Sequence, residues 1–373
     1  MKKHTVTVTG YNSGGEGVSR LDDGRVVFIR GAAREDVLEI ELIKEHAKLA
    51  WAKIINIISP SQYRIESDCS FYPECGGCNY RHITYEEELF AKLQCVNDAL
   101  LRIGGLSISI DRILHTGRIN GYRNKVVLHS NGFSFGFYRA QSNYIIPVDR
   151  CLLLKDDLNE AVKLLSQSDI DSENVVFRSG RNGLEQPLEE MLDGLIYKLK
   201  GFFQVNTDAA LMLFQKAREY AALSKSDILI DLYCGVGALT LFVGRDAGYA
   251  LGVENNPGAV KTAKENALRN NLRHIEFIDA DAAHWDLKIT DPDCVIVDPP
   301  RKGLSPEAIK KVLSLSPKRL VYISCNPATL ARDLKALTDY TITEICAVDM
   351  FPRTANIECC CLMIKNETDR TDG

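Results

Sequence analysis

Apolar and polar positions alternate in short runs along the first 58 residues, in TVTVTG, RVVFIR, VLEIEL and LAWAKIINII, with Gly and Asp turns between them. A period of two places every second side chain on one face of a strand, so this stretch predicts a small all-β barrel, an architecture that often binds oligonucleotides. Between about 60 and 195 the pattern changes: TYEEELFAKLQCVNDALLRIGG has helical periodicity, and KVVLHS and FSFGFYR read as strands. From about 200 onward, unbroken apolar runs (ILIDLYCGVG, YALGVE, IEFIDA, CVIVDPP, RLVYISC) alternate with helical stretches. Strands that are apolar on both faces and separated by helices predict a doubly wound parallel sheet, an α/β fold of Rossmann-like type. The chain therefore divides into 1–58, a β-barrel; 59–198, a central α+β domain; and 199–373, the doubly wound domain.

Composition narrows the picture. With 373 residues, 45% hydrophobic and 25% charged, the chain has room for several domains with sizeable cores. The amino terminus, MKKHTVTVTG, has no apolar run behind its lysines, which predicts a cytoplasmic protein with no membrane segment. In that reducing compartment, twelve cysteines point to metal binding or catalysis rather than disulfides. A formal net charge of −5 argues against indiscriminate coating of nucleic acid and leaves room for a local basic face. Residues 111–150 offer one, with Arg112, Arg118, Arg123, Lys125, Arg139 and Arg150 interleaved with Tyr122, Phe133, Phe135, Phe137 and Tyr138. Cations and aromatics together suit a groove that follows phosphates and stacks bases. The polar tail NETDRTDG is expected to be disordered.

The chemistry gathers at the predicted strand ends of the last domain. DLYCGVGALT places Asp231 before a turn that Gly235 and Gly237 allow to approach a ligand closely. Seventeen residues after Gly237, Glu254 closes the next strand, where a carboxylate can accept hydrogen bonds from both hydroxyls of a ribose. A dinucleotide site would prefer a third glycine where Thr240 stands, so the pattern favours S-adenosylmethionine over NAD. The fourth strand brings Asp298 and two prolines to the same edge in DPPRKG, the fifth brings Cys325 in SCNPATLARD, and DMFPRTANIE leads to Glu358. A cysteine and a glutamate beside a methyl donor suit methylation of uracil at carbon 5. That carbon becomes a sufficient nucleophile once a thiolate has added to carbon 6, and a base must then take the carbon 5 proton.

Cys69, Cys75 and Cys78 form C-x5-C-x2-C, with Cys151 as a fourth far downstream. The spacing points to a metal site and leaves zinc and iron–sulfur both open. Cys95, Cys234, Cys294, Cys346, Cys359, Cys360 and Cys361 read as core filler.

DLYCGVG, DPPRKG, SCNPATLARD and DMFPRTANIE, in this order, resemble the RNA uracil-5-methyltransferase family over essentially the whole chain. The resemblance implies a TRAM RNA-binding domain at the amino terminus, Cys325 as nucleophile and Glu358 as general base. It matches Gln204, Tyr233, Glu254 and Asp298 to positions that contact S-adenosylmethionine, and favours a [4Fe-4S] cluster on Cys69, Cys75, Cys78 and Cys151. The combination of barrel and cluster is similar to members that modify 23S ribosomal RNA, with no obligate protein partner implied. Asn356 departs from the pattern, since many relatives carry His two residues before the glutamate. Competing readings are a tRNA uridine-C5 methyltransferase, an enzyme methylating exocyclic amines through the DPPR loop, and a non-catalytic RNA-binding protein. Amine methylation would leave Cys325 without a task, and loss of catalytic function would show as a broken motif, whereas these motifs are intact.

Overall fold

The computed structural model of the protein describes residues 3–166, 172–285, 289 and 291–367. Residues 368–373, most of the polar tail, lie outside them. Six strands between Lys3 and Ser59 form the first sheet. The two long strands, Val37–Glu45 and Leu49–Ser59, pair antiparallel with three register shifts. Each shift bends the ribbon, and the curled sheet closes over Val6, Val27, Ile29, Leu38, Ile40 and Ala50. The alternation in the sequence is the reason: in Val26–Ile29 the second and fourth residues are buried and the other two are not.

A second, four-stranded antiparallel sheet (Ile145–Pro147, Phe135–Tyr138, Lys125–Ser130, Asn174–Arg178) packs against the helix Asp156–Leu165. Gly136 permits this pairing, because a Cβ there would stand 1.8 Å from the carbonyl oxygen of Ile146.

The third sheet has eight strands. Across it run Ile275–Asp279, Tyr249–Glu254, Ile228–Leu232, Cys294–Val297 and Arg319–Ser324, all parallel, followed by antiparallel Glu358–Lys365. Tyr340–Val348 and Ile113–Leu114 complete the edge. Strand order reverses between Ile228–Leu232 and Cys294–Val297, and a crevice opens beyond the carboxyl ends of strands at such a reversal.

Part of the stretch 59–198 belongs with this third sheet. Helix Tyr85–Ala99 starts at Thr84, whose side chain accepts from the Glu87 amide, and has three glutamates in its first turn, where they meet the positive end of the helix dipole. Its Val96 and Ala99 share a core with Ile230, Leu232, Val295 and Tyr322. Periodicity marks this helix without telling which sheet it covers. Among the described residues no helix is long and apolar enough to cross a membrane.

Candidate functional site

The crevice at the strand-order reversal is lined by Phe202, Phe203, Gln204, Asp231, Tyr233, Gly235 and Asp298, among others. The turn after Leu232 is tightly wound: Tyr233, Gly235 and Gly237 all have positive φ, at 69°, 55° and 77°. A bulky residue rarely adopts that conformation, and here the Tyr233 amide is held by the Val253 carbonyl at 2.9 Å. Gly237 is required for packing as well, since a Cβ would stand 2.7 Å from the Phe277 ring. Glu254 braces the turn from the neighbouring strand. One of its oxygens accepts from the Gly235 amide at 3.1 Å and the other from the Asn256 amide at 2.9 Å, which leaves a lone pair on each for a ligand.

Thr240, which occupies the place of a third dinucleotide-type glycine, has a role of its own. Its hydroxyl donates to one oxygen of buried Asp231 at 2.6 Å, while the other oxygen of Asp231 is buried with no protein partner. Burial pushes the Asp231 carboxyl up to about 7, and burial does the same to Asp298. An orphaned, strongly polar oxygen in a crevice is the feature a bound donor or cation would satisfy. The backbone of the segment carrying Gln204 is held from the central region, with Asn124 donating to the Gln204 carbonyl at 3.0 Å and Arg178 to that of Phe203 at 3.1 Å. Phe202 is 70% exposed at the crevice mouth, and nothing in the sequence pattern marks it out.

Cys325 and Glu358 come together through the sheet. Ser324 pairs with Cys359 in an antiparallel ladder, so the next position on each strand sets Cys325 opposite Glu358. Burial first, then the charge of Glu358, push the Cys325 thiol up to about 11. Burial first, then Asp298, push Glu358 well above the usual carboxylate range. Arg301, on the DPPRKG loop, acts in the opposite direction on both groups. It donates to the Asn356 side-chain oxygen at 3.1 Å, and its carbonyl accepts from Asn326 at 3.1 Å and Thr329 at 3.3 Å. Asn356 is thus a holder of Arg301. Fully buried Asp333, from the end of SCNPATLARD, fixes the same loop by accepting from the Leu304 amide at 2.8 Å and the Tyr322 hydroxyl at 2.6 Å.

The four cysteines Cys69, Cys75, Cys78 and Cys151 line one pocket together with Arg81 and Arg123. Among the described residues, no group of three or more His, Cys, Asp or Glu side chains is gathered as a single metal ion would need. Thiolates around one zinc would each lie about 2.3 Å from it. The Nε atoms of both arginines are buried without a protein partner. Two guanidinium groups lining a pocket with four thiols suit a group that carries negative charge. Of the other cysteines, Cys234, Cys294, Cys359, Cys360 and Cys361 are buried, and Cys95 and Cys346 half-buried.

The basic, aromatic stretch 111–150 is not one groove. Tyr122 and Phe135 are core residues, Arg123 and Arg150 line the cysteine pocket, and Arg139 pairs with Glu74 at 2.7 Å. Phe133 at 98% and Tyr138 at 42% are the exposed aromatics of the set. Alternation along a strand sends one side chain in and the next out, and composition alone does not sort them.

A doubly wound sheet with a glycine turn, a braced acid on the second strand and a crevice at the order reversal is the methyltransferase class of Rossmann-like fold. Residues 2–55 match the TRAM domain, 198–321 the methyltransferase small domain, and 283–366 the tRNA (Uracil-5-)-methyltransferase family. An uncharacterized RNA methyltransferase from Caldanaerobacter subterraneus is 31% identical, with 96% of this chain and 97% of that protein covered. One from Clostridium tetani is 30% identical with 96% of both covered. The chain belongs to the RNA uracil-5-methyltransferase family. Its fold is that of the Pyrococcus abyssi tRNA (uracil-54, C5)-methyltransferase solved with S-adenosyl-L-homocysteine, with a TM-score of 0.77, 24% identity, and 96% of this chain and 100% of that chain covered.

Proposed function

We propose that the protein methylates carbon 5 of a uridine in 23S ribosomal RNA, with Cys325 as nucleophile and Glu358 as base. The observation that carries this reading is the register that sets these two side chains opposite one another at the crevice edge. S-adenosylmethionine supplies the electrophilic methyl group when bound, and Gln204, Tyr233, Glu254 and Asp298 would hold it. The Cys325 sulfur adds to carbon 6 of the uracil, which moves electron density to carbon 5. After carbon 5 has gained the methyl group, Glu358 takes its proton, the electron pair reforms the 5,6 double bond, and the sulfur leaves carbon 6. A glutamate raised by burial is a stronger base, once ionised, than an exposed one. Arg301 lowers the cost of the thiolate that starts the sequence.

An RNA substrate has to present the ring face to the thiol, so an unpaired or extruded uridine fits the site. The resemblance of a barrel plus four cysteines to family members that modify 23S ribosomal RNA supports the first reading. The match of residues 283–366 to a family named for tRNA supports the second reading. Transcripts of 23S RNA and of tRNA, labelled with tritium at carbon 5 of uridine, separate them: release with the first and not the second is expected, and the reverse outcome would move the substrate to tRNA.

Cys69, Cys75, Cys78 and Cys151 would hold a [4Fe-4S] cluster, with Arg81 and Arg123 offsetting its charge. Protein purified without oxygen should contain about four iron and four sulfide per chain and absorb visible light. A colourless protein with one zinc would overturn the assignment.

The raised carboxyls make a further expected result. S-adenosylmethionine is cationic, so its binding favours ionised Asp231 and Asp298 and releases protons held in the free protein. Affinity should therefore rise with pH from about 6 to 8 and level off above, where both are already ionised. Calorimetry in two buffers of different ionisation enthalpy measures the proton release; its absence below pH 7 would show that neither carboxyl meets the cofactor's charge.

A further inference from the structure

Residues Asp349 to Ile357 connect the strand Tyr340–Val348 to Glu358 and determine where that carboxyl sits. The bonds that hold this loop come from far upstream. Fully buried Lys92 reaches the carboxylates of Glu88 at 2.8 Å and Asp349 at 2.7 Å, and the Phe351 carbonyl at 3.2 Å. The Arg353 amide donates to Glu88 at 2.7 Å, and the Tyr122 hydroxyl to the Pro352 carbonyl at 2.9 Å. Arg353 itself has φ 69°, a conformation that its partners must maintain.

One residue in this set also belongs to the cysteine pocket. Asn79 follows Cys78 directly, and both its backbone groups and both its side-chain polar atoms are bonded. Its amide donates to the Arg353 carbonyl at 2.8 Å and its carbonyl accepts from the Tyr72 hydroxyl at 3.2 Å, Tyr72 being another residue of the pocket wall. Its side-chain oxygen accepts from the Ala355 amide at 3.0 Å, three residues before Glu358. Its side-chain nitrogen donates to the Gly14 carbonyl of the TRAM module at 2.9 Å. A single half-buried asparagine therefore meets the TRAM module, the cysteine pocket and the loop that carries Glu358.

We infer that Asn79 is a positioning residue for Glu358: by accepting from the Ala355 amide, it fixes the loop so that the carboxyl reaches the carbon 5 proton. The inference rests on the reading of Glu358 as base. Its consequence is specific to one step. If the base is misplaced, addition of Cys325 and methylation still proceed, but the proton stays on carbon 5 and the sulfur cannot leave. The variant should then accumulate RNA covalently joined to protein, whereas a variant merely loosened or poor at binding RNA should form less of it.

The test measures turnover and the protein–RNA adduct on denaturing gels for the full chain. Asn79→Ala should lower kcat by about 10- to 100-fold, the cost of a misplaced catalytic group, with KM for S-adenosylmethionine little changed and more adduct than wild type. Asn79→Asp keeps an acceptor for the Ala355 amide and loses the donor to Gly14, so it should restore most of the turnover and remove the adduct. Equal impairment in both variants, or loss of turnover without adduct, would overturn the inference and assign Asn79 to holding the TRAM module. Glu358→Gln is the control that keeps the two readings apart. Adduct with Glu358→Gln and none with Asn79→Ala defeats the inference alone; adduct with neither removes the base reading and the inference with it.

Discussion

Cys325→Ala protein should release no measurable tritium from uridine labelled at carbon 5 and should form no covalent complex with RNA. The expected loss in turnover is at least about 10⁴-fold, the scale seen when a covalent nucleophile is deleted from a set of groups that act as a unit. Carbon 5 of uracil does not attack a sulfonium methyl group unaided, so no other part of the site can substitute. S-adenosylmethionine should still bind, because Asp231 and Glu254 lie on other strands and Tyr233 in the turn between them. This separates chemistry from folding: unchanged cofactor affinity with abolished release is the expected pair of results. Methyl incorporation without tritium release in the parent enzyme, persisting in the variant, would assign the chemistry to an exocyclic amine held by the DPPR loop.

Glu358→Gln should fail at the opposite end of the reaction. The amide can occupy the same buried position but cannot accept the carbon 5 proton, so turnover should fall by about 10²- to 10⁴-fold, the usual contribution of a positioned base. RNA should be trapped on Cys325 with its methyl group already in place. Double labelling decides this: methyl label and protein should migrate together on a denaturing gel, and tritium at carbon 5 should be retained in the adduct. An adduct without the methyl label would place Glu358 before methyl transfer. In the wild type both the Glu358 carboxyl and the Cys325 thiol must lose protons held by burial, so its rate should rise with pH; in the glutamine variant only the part of that rise that belongs to the Cys325 thiol should remain.

Much of this site was legible because its chemistry lies on strand ends. In a doubly wound sheet, the residue after each apolar run has only one edge to face, so Glu254, Asp298 and Cys325 could be sent to a common crevice from periodicity, while Tyr233 and Gln204 came only from the family resemblance. The cofactor preference followed from a local steric fact, the absence of a third glycine at Thr240. What Thr240 does instead, bonding a buried carboxylate nine residues away in sequence, has no local signal. Arg301 stands in the DPPRKG motif, but its partner Asn356 is 55 positions downstream. The basic stretch 111–150 failed as a groove because burial of individual side chains depends on which neighbours cover each strand face, and composition does not contain that information.

Taken by itself, the sequence determined the elements: a β module over residues 1–58, a helical stretch within 84–105, five parallel strands, and the order in which they deliver a turn, an acid and a thiol. These depend on the side-chain period and on glycine and proline, which act within a few residues. Tertiary structure alone decided that Glu358 would face Cys325, because that follows from the antiparallel register of a strand 34 positions away. It likewise decided that the loop before Glu358 would be clamped by Asn79, Glu88 and Lys92, more than 250 residues upstream. Hydrogen bonds and ion pairs of such separation form only after the domains have packed, when burial makes each unpaired group costly and so selects one arrangement of the loop.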